Sequence, residues 1–417
     1  MIQCLLPSGH GINWSEGGKT VSMSWRRWGL NDNPYQLNSL EEDNLHLFVG
    51  RGDDVRIVQD YCKKSESVIS VEGESGIGLT AFGEFIRHDF VRKRLFFTPH
   101  GEISPGKSLC CHCLILNLLV ALDATLQQKH PYLSRDPDFI RYEAGVRKLL
   151  TGFEGKSIFQ DSCPLHPIEM TDKYASLLDD ASQLISKLGY DRGTLVQIRT
   201  PNLRPSDMQA KEQAFLMNLC SFFKVRHFQW LLTGGRDFGQ VLCEYGDLHR
   251  RDVVFRLNLN ALSLNEVDEI LDRRKELFSV QKDPQLPLAR EVIHYLYSVS
   301  SGRIRNILQL SSELVSFFDG DHTISEINLN IARPILQRIS QKNLYQMNLT
   351  NLPLSVLGVV AQKGPVASGD IAKHMHRSHS SISKALLQLN KRGLVQKNGQ
   401  GRRRIYSASM EVKLIWA

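Results

Sequence analysis

The sequence predicts an α/β body with a largely parallel sheet, then an all-helical segment, then a small C-terminal domain of helices and a hairpin. Short apolar, β-branched runs alternate with helical stretches up to residue 260, which is typical of a parallel sheet with helices on both faces. Beyond residue 260 these runs stop and helical stretches follow. A length of 417 residues suits two or three domains. The candidate strands are 68–72, 95–99, 194–199, 227–234 and 253–258, and the helices between them include 109–128, 171–188 and 207–224.

The amino-acid composition by itself excludes few classes of protein. Apolar residues make up 42% and charged residues 23% of the chain, and the formal net charge of +7 is too small to establish nucleic-acid binding. No apolar run reaches 18 residues, and the longest, 109–122, is interrupted by polar residues and predicts a buried helix. The first residues lack a cationic start followed by an apolar stretch. We therefore expect a cytoplasmic protein without a membrane partner, with reduced thiols.

One cysteine cluster has two interpretations. Cys110, Cys111, His112 and Cys113 are consecutive, and adjacent residues on a helix cannot all face one zinc ion. Only Cys110 and Cys113 have the spacing of a zinc knuckle, and no second pair lies nearby. A core helix is favoured over a metal site, and we predict no metal ligands.

A glycine-rich loop lies between a predicted strand and a predicted helix. It reads Gly73-Glu74-Ser75-Gly76-Ile77-Gly78-Leu79-Thr80, against the phosphate-loop pattern G-x-x-x-x-G-K-[ST]. Gly73, Gly78 and Thr80 fit the pattern, whereas Leu79 stands where the lysine belongs. Backbone amides and a helix N-terminus can hold phosphate oxygens without that lysine. A tight turn without a ligand is the alternative interpretation of such a loop taken alone.

Motifs around this loop resemble those of AAA+ and STAND ATPases in the same order. Phe48-Val49-Gly50-Arg51 resembles their "FVGR" motif, and Trp28-Gly29-Leu30 with Asn33-Pro34 resembles the "WGL..NPF" segment before it. Strand 230–234 resembles the sensor-1 strand, and residues 301–305 resemble the sensor-2 signature. The resemblance implies ATP or ADP binding. The implied nucleotide-binding residues are Val49, Gly50, Arg51, Gly73, Gly76, Gly78, Thr80, Thr233 and Arg305.

The residues that perform catalysis in such ATPases are missing. Phosphoryl transfer requires the loop lysine, Mg²⁺ and a water-orienting acid. The strand equivalent to the Walker B strand ends in Arg199-Thr200-Pro201-Asn202, without an acid. We therefore predict no catalytic residues, no dependable Mg²⁺ site and no appreciable hydrolysis. Arg236 is a candidate for an arginine acting on a neighbouring subunit, with a solvated surface arginine as the alternative interpretation.

The C-terminal segment resembles the winged helix-turn-helix of bacterial regulators. Apolar Leu354, Leu357 and Val360 mark a first helix, Ser368 is the expected cap of a second helix over 368–375, and a third spans 379–392. A hairpin follows around 398–401. In this fold the third helix enters the major groove of duplex DNA. The predicted DNA-binding residues are His379, Ser380, Ser381, Ser383, Lys384, Lys397, Arg402, Arg403 and Arg404.

The sequence thus predicts a P-loop AAA+-like parallel-sheet domain with a helical lid and a C-terminal winged helix-turn-helix. Its predicted divisions are an N-terminal arm and lead-in (1–44), the AAA+-like domain (45–260), lid and linker (261–350), and winged helix (351–417). The favoured function is a non-catalytic subunit of a mobile-element or antiviral defence system that binds double-stranded DNA and a protein partner or further copies of itself. Alternatives are an active DNA-dependent ATPase of initiator or transposition type, a ligand-responsive transcription regulator, and a scaffold that never touches DNA.

Overall fold

The structure is a computed structural model that describes residues 25–64, 68–106, 109–151, 169–190, 192–203, 208–246, 254–318, 323–398 and 404–416. Residues 1–24 of the predicted N-terminal arm and lead-in lie outside these ranges, as do two of the predicted DNA-binding residues, Arg402 and Arg403.

The body contains a four-stranded parallel sheet, which confirms the predicted fold class. The strands follow the order β2-β3-β1-β4, so β1 lies between two strands that follow it in the chain. Strands covered on both faces need continuous apolar runs, and β1 is buried at all five positions. The strands are β1 (Val68–Glu72), β2 (Thr194–Arg199), β3 (Phe228–Gly234) and β4 (Val254–Asn258).

The predicted strand at 95–99 is wrong as a regular strand. This segment runs beside β2 but meets it only at two isolated parallel bridges, Phe97 with Thr194 and Ile103 with Ile198. Gly101, with φ +79°, and Pro99 lie between those bridges and interrupt the regular pairing. The segment nevertheless brings residues 97–103 alongside β2 at the outer edge of the sheet.

Helices cover both faces of the sheet and form two apolar cores. Helix α3 is long and apolar enough to cross a membrane by length and composition, but 67% of its apolar window is buried inside the protein. Cys111 and Cys113 are buried at its start, as the core-helix interpretation predicted. The body helices are α1 (Gly52–Lys64), α2 (Leu79–Arg92), α3 (Cys111–Lys129), α4 (Pro137–Thr151), α5 (Glu169–Lys187), α6 (Ala210–Phe222) and α7 (Phe238–Tyr245).

Four helices form the lid. The lid begins with a capping box, in which Ser263 Oγ accepts from the Glu266 amide at 3.3 Å while Glu266 accepts from the Ser263 amide at 2.7 Å. The sequence suggests that residues 319–350 only link the lid to the final domain, but 329–346 form an 18-residue helix that buries Ala332 and Leu336 in the lid core. The lid helices are α8 (Leu264–Leu277), α9 (Arg290–Ser300), α10 (Ile304–Ser316) and α11 (Leu329–Gln346).

The lead-in before residue 45 packs on the lid. Trp28, Leu30 and Tyr35 are buried in the lid core, and the Trp28 indole donates to the carbonyl of Ser325 at 2.8 Å. The buried guanidinium of Arg274 donates to the carbonyls of residues 34 and 36. The "WGL..NP" residues therefore hold the beginning of the described chain against helices that come more than 200 residues later.

The C-terminal domain has the predicted winged-helix layout with two differences. Ser368 is the first residue of α13 and not its cap, because Ala367 occupies the cap position without a side-chain bond. A further helix, α15, follows the wing and buries Val412 in this domain and Leu414 in the lid core. The elements are α12 (Asn351–Lys363), β5 (Val366–Ala367), α13 (Ser368–His374), α14 (His379–Lys391), β6 (Val395–Asn398), β7 (Ile405–Ala408) and α15 (Met410–Trp416), with antiparallel sheet order β5-β7-β6.

Candidate nucleotide site and nucleic-acid interface

The glycine-rich loop joins β1 to α2 as the sequence predicts. Gly76 and Gly78 have φ values of +90° and +98°, a backbone region that disfavours any side chain. Gly78 occupies the cap position of α2 and no side chain caps that helix. The first-turn amides of α2 consequently have no partner within the helix, and the positive end of its dipole faces the loop. This arrangement suits an anion such as a phosphate.

A buried carboxylate anchors the loop at the end of β1. Glu72 is fully buried and accepts from the amides of Asp237 and Gly239 at 3.0 and 2.8 Å. Its two oxygens also accept from the Arg256 guanidinium at 3.2 and 3.1 Å, and Oε1 accepts from Ser70. The start of the loop is thus tied to the neighbouring strand β4 and to the beginning of α7, which follows β3.

The "FVGR" residues lie between the glycine-rich loop and the lid. Arg51 donates to the carbonyls of Ile77 and Asn260 at 2.7 and 2.9 Å, and its burial lowers the pKa of its guanidinium. Val49 is buried in the lid core. A side chain at Gly50 would clash with the Glu266 carboxylate. Of these three residues, Arg51 contacts the loop directly, whereas Val49 and Gly50 lie against the lid.

Leucine at position 79 cannot supply the charge of the missing lysine. Leu79 is the first residue of α2 and packs against the apolar cluster beneath that helix. In phosphate-loop enzymes the lysine at this position reaches the β- and γ-phosphates. Leu79 provides an apolar contact instead.

A cation and an acid meet beside Thr80. Arg199, the last residue of β2, donates from Nη2 to Thr80 Oγ1 at 3.0 Å and pairs through Nε with Glu102 Oε2 at 2.8 Å. Glu102 Oε1 accepts from the hydroxyl of Thr233 at 2.7 Å and from the Gln197 amide at 3.0 Å. Sequence reasoning missed Glu102, since only its pairing beside β2, through the bridge at Ile103, brings it to the loop.

The lid contacts the loop through a different residue from the one expected. The Arg305 backbone amide donates to the Gly76 carbonyl at 3.0 Å, whereas its side chain is exposed. Arg303 makes the charged contact, donating to Glu74 Oε2 from Nε at 3.1 Å and Nη2 at 2.7 Å. Arg236 pairs with Glu74 Oε1 of its own chain at 3.4 Å. Glu74 thus connects the loop, the lid and the turn that follows β3.

The recognition helix α14 presents a hydroxyl-rich N-terminal turn. The His379 ring contacts Ser368 Oγ at 3.1 Å and Ser383 Oγ at 3.4 Å, which holds it across the two helices of the motif. Ser378 caps α14 through the Ser381 amide at 3.3 Å. These predicted DNA-binding residues are exposed in the structure: His379, Ser380, Lys384, Lys397 and Arg404; Ser381 and Ser383 are half-buried.

One exposed cation beside that turn was not predicted. Arg377 lies in the turn between α13 and α14, immediately before the Ser378 cap, and its side chain is exposed. Its backbone amide donates to the Ala372 carbonyl at 3.1 Å, which fixes the turn. Its position next to the N-terminus of a predicted groove-reading helix was the available sequence signal.

Comparison with known proteins gives one family match, which covers residues 347–404 and belongs to the MarR family. The sequence matches no curated protein. Among solved structures, a Walker-type ATPase of Pyrococcus abyssi is similar with 11% identity, covering 92% of this chain and 99% of that chain at a TM-score of 0.47. The ORC1 protein of Aeropyrum pernix in complex with DNA has 12% identity, with coverages of 88% and 92% and a TM-score of 0.45.

A third similar structure is Thermotoga maritima RuvB, at 13% identity, coverages of 89% and 95% and a TM-score of 0.40. The fold itself is evident from the parallel sheet, the phosphate loop, the lid and the matched C-terminal segment. The chain therefore has a parallel-sheet domain of P-loop AAA+-like fold, a helical lid and a C-terminal winged helix-turn-helix that matches the MarR family.

Proposed function

We propose that this protein is a DNA-binding, non-catalytic AAA+-like subunit of a mobile-element or antiviral defence system in the cytoplasm. The observation that carries the proposal is the pair of replacements at the phosphate loop. Leu79 stands in place of the lysine, and Arg199 ends the strand where an acid is required. Loss of one electrostatic element typically lowers kcat by about 10²–10³-fold, so loss of several leaves negligible turnover.

In this proposal the body binds ATP or ADP as a structural ligand through loop amides, Thr80 and the "FVGR" segment. The predicted divisions 1–44, 45–260, 261–350 and 351–417 remain part of the proposal. The packing of the lead-in on the lid favours grouping residues 25–44 with the lid in any truncation experiment. The body also docks a protein partner or further copies of the chain.

The winged helix binds duplex DNA with limited sequence reading. The exposed start of α14 offers short hydroxyls and Lys384, and the wing brings Arg404 next to Arg402 and Arg403 in the chain. Hydroxyls and isolated cations suit phosphate oxygens, whereas strong base reading favours bidentate Arg, Asn or Gln pairs. We expect similar affinity for unrelated duplexes and a steep dependence on salt.

The first test measures DNA binding of the full chain by fluorescence anisotropy, on several unrelated duplexes over a series of salt concentrations. The triple Arg402/Arg403/Arg404→Ala variant should bind every duplex more weakly and with a reduced salt slope. Unchanged binding would remove the wing from the interface. Tight binding confined to one palindromic site, released by a small molecule, would favour a transcription regulator.

The second test measures phosphate release from ATP with and without DNA. We expect no release above the rate in buffer alone. An active ATPase is the rival that one observation favours, because the Glu102 carboxylate accepts from Thr233 and pairs with Arg199, which contacts Thr80 of the loop. Turnover that disappears in both Glu102→Gln and Thr80→Ala would establish that rival. A nuclease, reverse transcriptase or transposase gene next to this one would support the proposed biological setting, and light scattering gives the oligomeric state.

A further inference from the structure

Phosphate-loop proteins hold a divalent cation at the place that Thr80 occupies here. In those proteins Mg²⁺ is bound by the loop Ser or Thr and by the acid that ends the Walker B strand. Here Thr80 fits the first position, and Arg199 occupies the second as the last residue of β2. The two side chains contact each other directly, with Arg199 Nη2 donating to Thr80 Oγ1 at 3.0 Å.

The residues around this point do not fit Mg²⁺. Mg²⁺ requires about six oxygen ligands at roughly 2.0–2.1 Å in octahedral geometry. Thr80 Oγ1 already accepts from a guanidinium, and a dication beside that guanidinium would be repelled. Both Glu102 oxygens also accept hydrogen bonds, Oε2 from Arg199 and Oε1 from Thr233 and Gln197. Among the described residues, no group of three or more His, Cys, Asp or Glu side chains is arranged to hold a metal ion.

Arg199 is held in place but keeps donors for a ligand. A guanidinium has five N–H donors, and its contacts with Glu102 and Thr80 engage two of them. The Glu102 side chain is only 11% exposed and orients the guanidinium, whereas the Arg199 side chain is 53% exposed. Guanidinium groups suit phosphate because several N–H bonds reach its oxygens at once.

We infer that Arg199 takes the place of the divalent cation in the proposed nucleotide site, so that the site binds metal-free nucleoside di- or triphosphates. This rests on the proposed binding of nucleotide by the loop. Thr80 and Glu102 act as positioning residues that hold the guanidinium beside the α2 amides. Mg²⁺ complexed to the nucleotide competes with Arg199 for the same phosphate oxygens and brings a second cation next to it. Binding is therefore as tight or tighter when divalent cations are removed.

The test measures the dissociation constant of a fluorescent ADP analogue with the full-length protein, in excess EDTA and in excess Mg²⁺. Wild-type protein should bind at least as tightly in EDTA. Arg199→Ala should weaken binding in EDTA by about 10–100-fold, the usual cost of losing a hydrogen bond to a charged group. Arg199→Lys keeps the charge without the fork of donors, so its affinity in EDTA should lie between those of the wild-type protein and Arg199→Ala. Arg199→Asp should bind only in Mg²⁺, because a carboxylate then ends β2.

Arg92→Ala is the matched control, since this exposed arginine ends α2 and pairs with Asp89 away from the loop. It should leave binding unchanged under both conditions. Circular dichroism and thermal unfolding identify any variant that fails to fold, and Thr80→Val then provides a second perturbation of the same contact. Wild-type binding that requires Mg²⁺ overturns this inference alone. Absence of binding under both conditions overturns it together with the proposed nucleotide ligand.

Discussion

Glu72→Ala should cause a large loss of stability, because it removes the acceptor at the centre of a buried network. The carboxylate is fully buried at the end of β1 and accepts from two backbone amides, the Ser70 hydroxyl and the Arg256 guanidinium. Alanine leaves all of these donors without their acceptor, next to a cavity. Breaking a buried ion pair by removing one partner costs about 3–5 kcal/mol. Because 36% of the Arg256 side chain is exposed, water can reach it, and we expect about 3 kcal/mol.

The reverse substitution should cost less. In Arg256→Ala the buried carboxylate keeps the amides of Asp237 and Gly239 and the Ser70 hydroxyl as donors. Charge-assisted hydrogen bonds from those groups stabilise the anion, so we expect a loss of about 1–2 kcal/mol. Removal of Glu72 should therefore destabilise the protein more than removal of Arg256, although the two residues form one ion pair.

The assay follows unfolding in urea through the fluorescence of Trp230, which is fully buried in β3. All proteins compared carry phenylalanine in place of the other four tryptophans, so that Trp230 is the single tryptophan probe. A probe confined to the body is required because several domains need not unfold in one step. Glu244→Ala, which removes an exposed carboxylate from α7, is the control and should change stability by less than about 0.5 kcal/mol. An effect of Glu72→Ala no larger than that of Glu244→Ala, or smaller than that of Arg256→Ala, would refute the reasoning.

Three other outcomes are expected. Burial raises the pKa of Asp123 to about 6, so the folded body holds that proton more tightly than the unfolded chain, and stability falls as the pH rises from about 4 to about 6. Asp123→Asn should remove this dependence of stability on pH. It should also raise the free energy of unfolding at neutral pH by about 1–2 kcal/mol, a value discounted for the partial exposure of Asp123. Thermal unfolding over a series of pH values would contradict this if the variant kept the dependence. Arg404→Ala alone should weaken binding to every duplex and lower the salt slope by about 1, whereas Lys391→Ala, at the other end of α14, should not; equal effects would contradict a wing contact. Gly76→Ala, at φ +90°, should lower stability by about 1–2 kcal/mol, measured by differential scanning fluorimetry. Gly369→Ala, with open space around it, should not lower stability. Similar melting temperatures for the two variants would count against backbone strain in the loop.

Prediction from the sequence succeeded where a pattern is local. Strand β2 was predicted with its observed bounds, 194–199, because a strand buried on both faces needs a continuous apolar run. The loop glycines and the order of the winged-helix elements are likewise predictable from the sequence, since each depends on a few adjacent residues. The segment at 329–346 is a helix where the sequence favours a linker, because Pro334 lies among the helically spaced Ala332, Ile335 and Leu336, and proline is disfavoured inside a helix.

The chain by itself determined which charges are missing from the phosphate loop, because the residue at position 79 and the end of β2 are read directly from the order of amino acids. Only the tertiary structure decided which charges replace them. Arg199 meets Thr80 across 119 positions of chain, and Arg303 meets Glu74 across 229. Such pairings follow from strand order and lid packing, which bring distant residues within hydrogen-bonding distance and leave no periodic trace in the sequence.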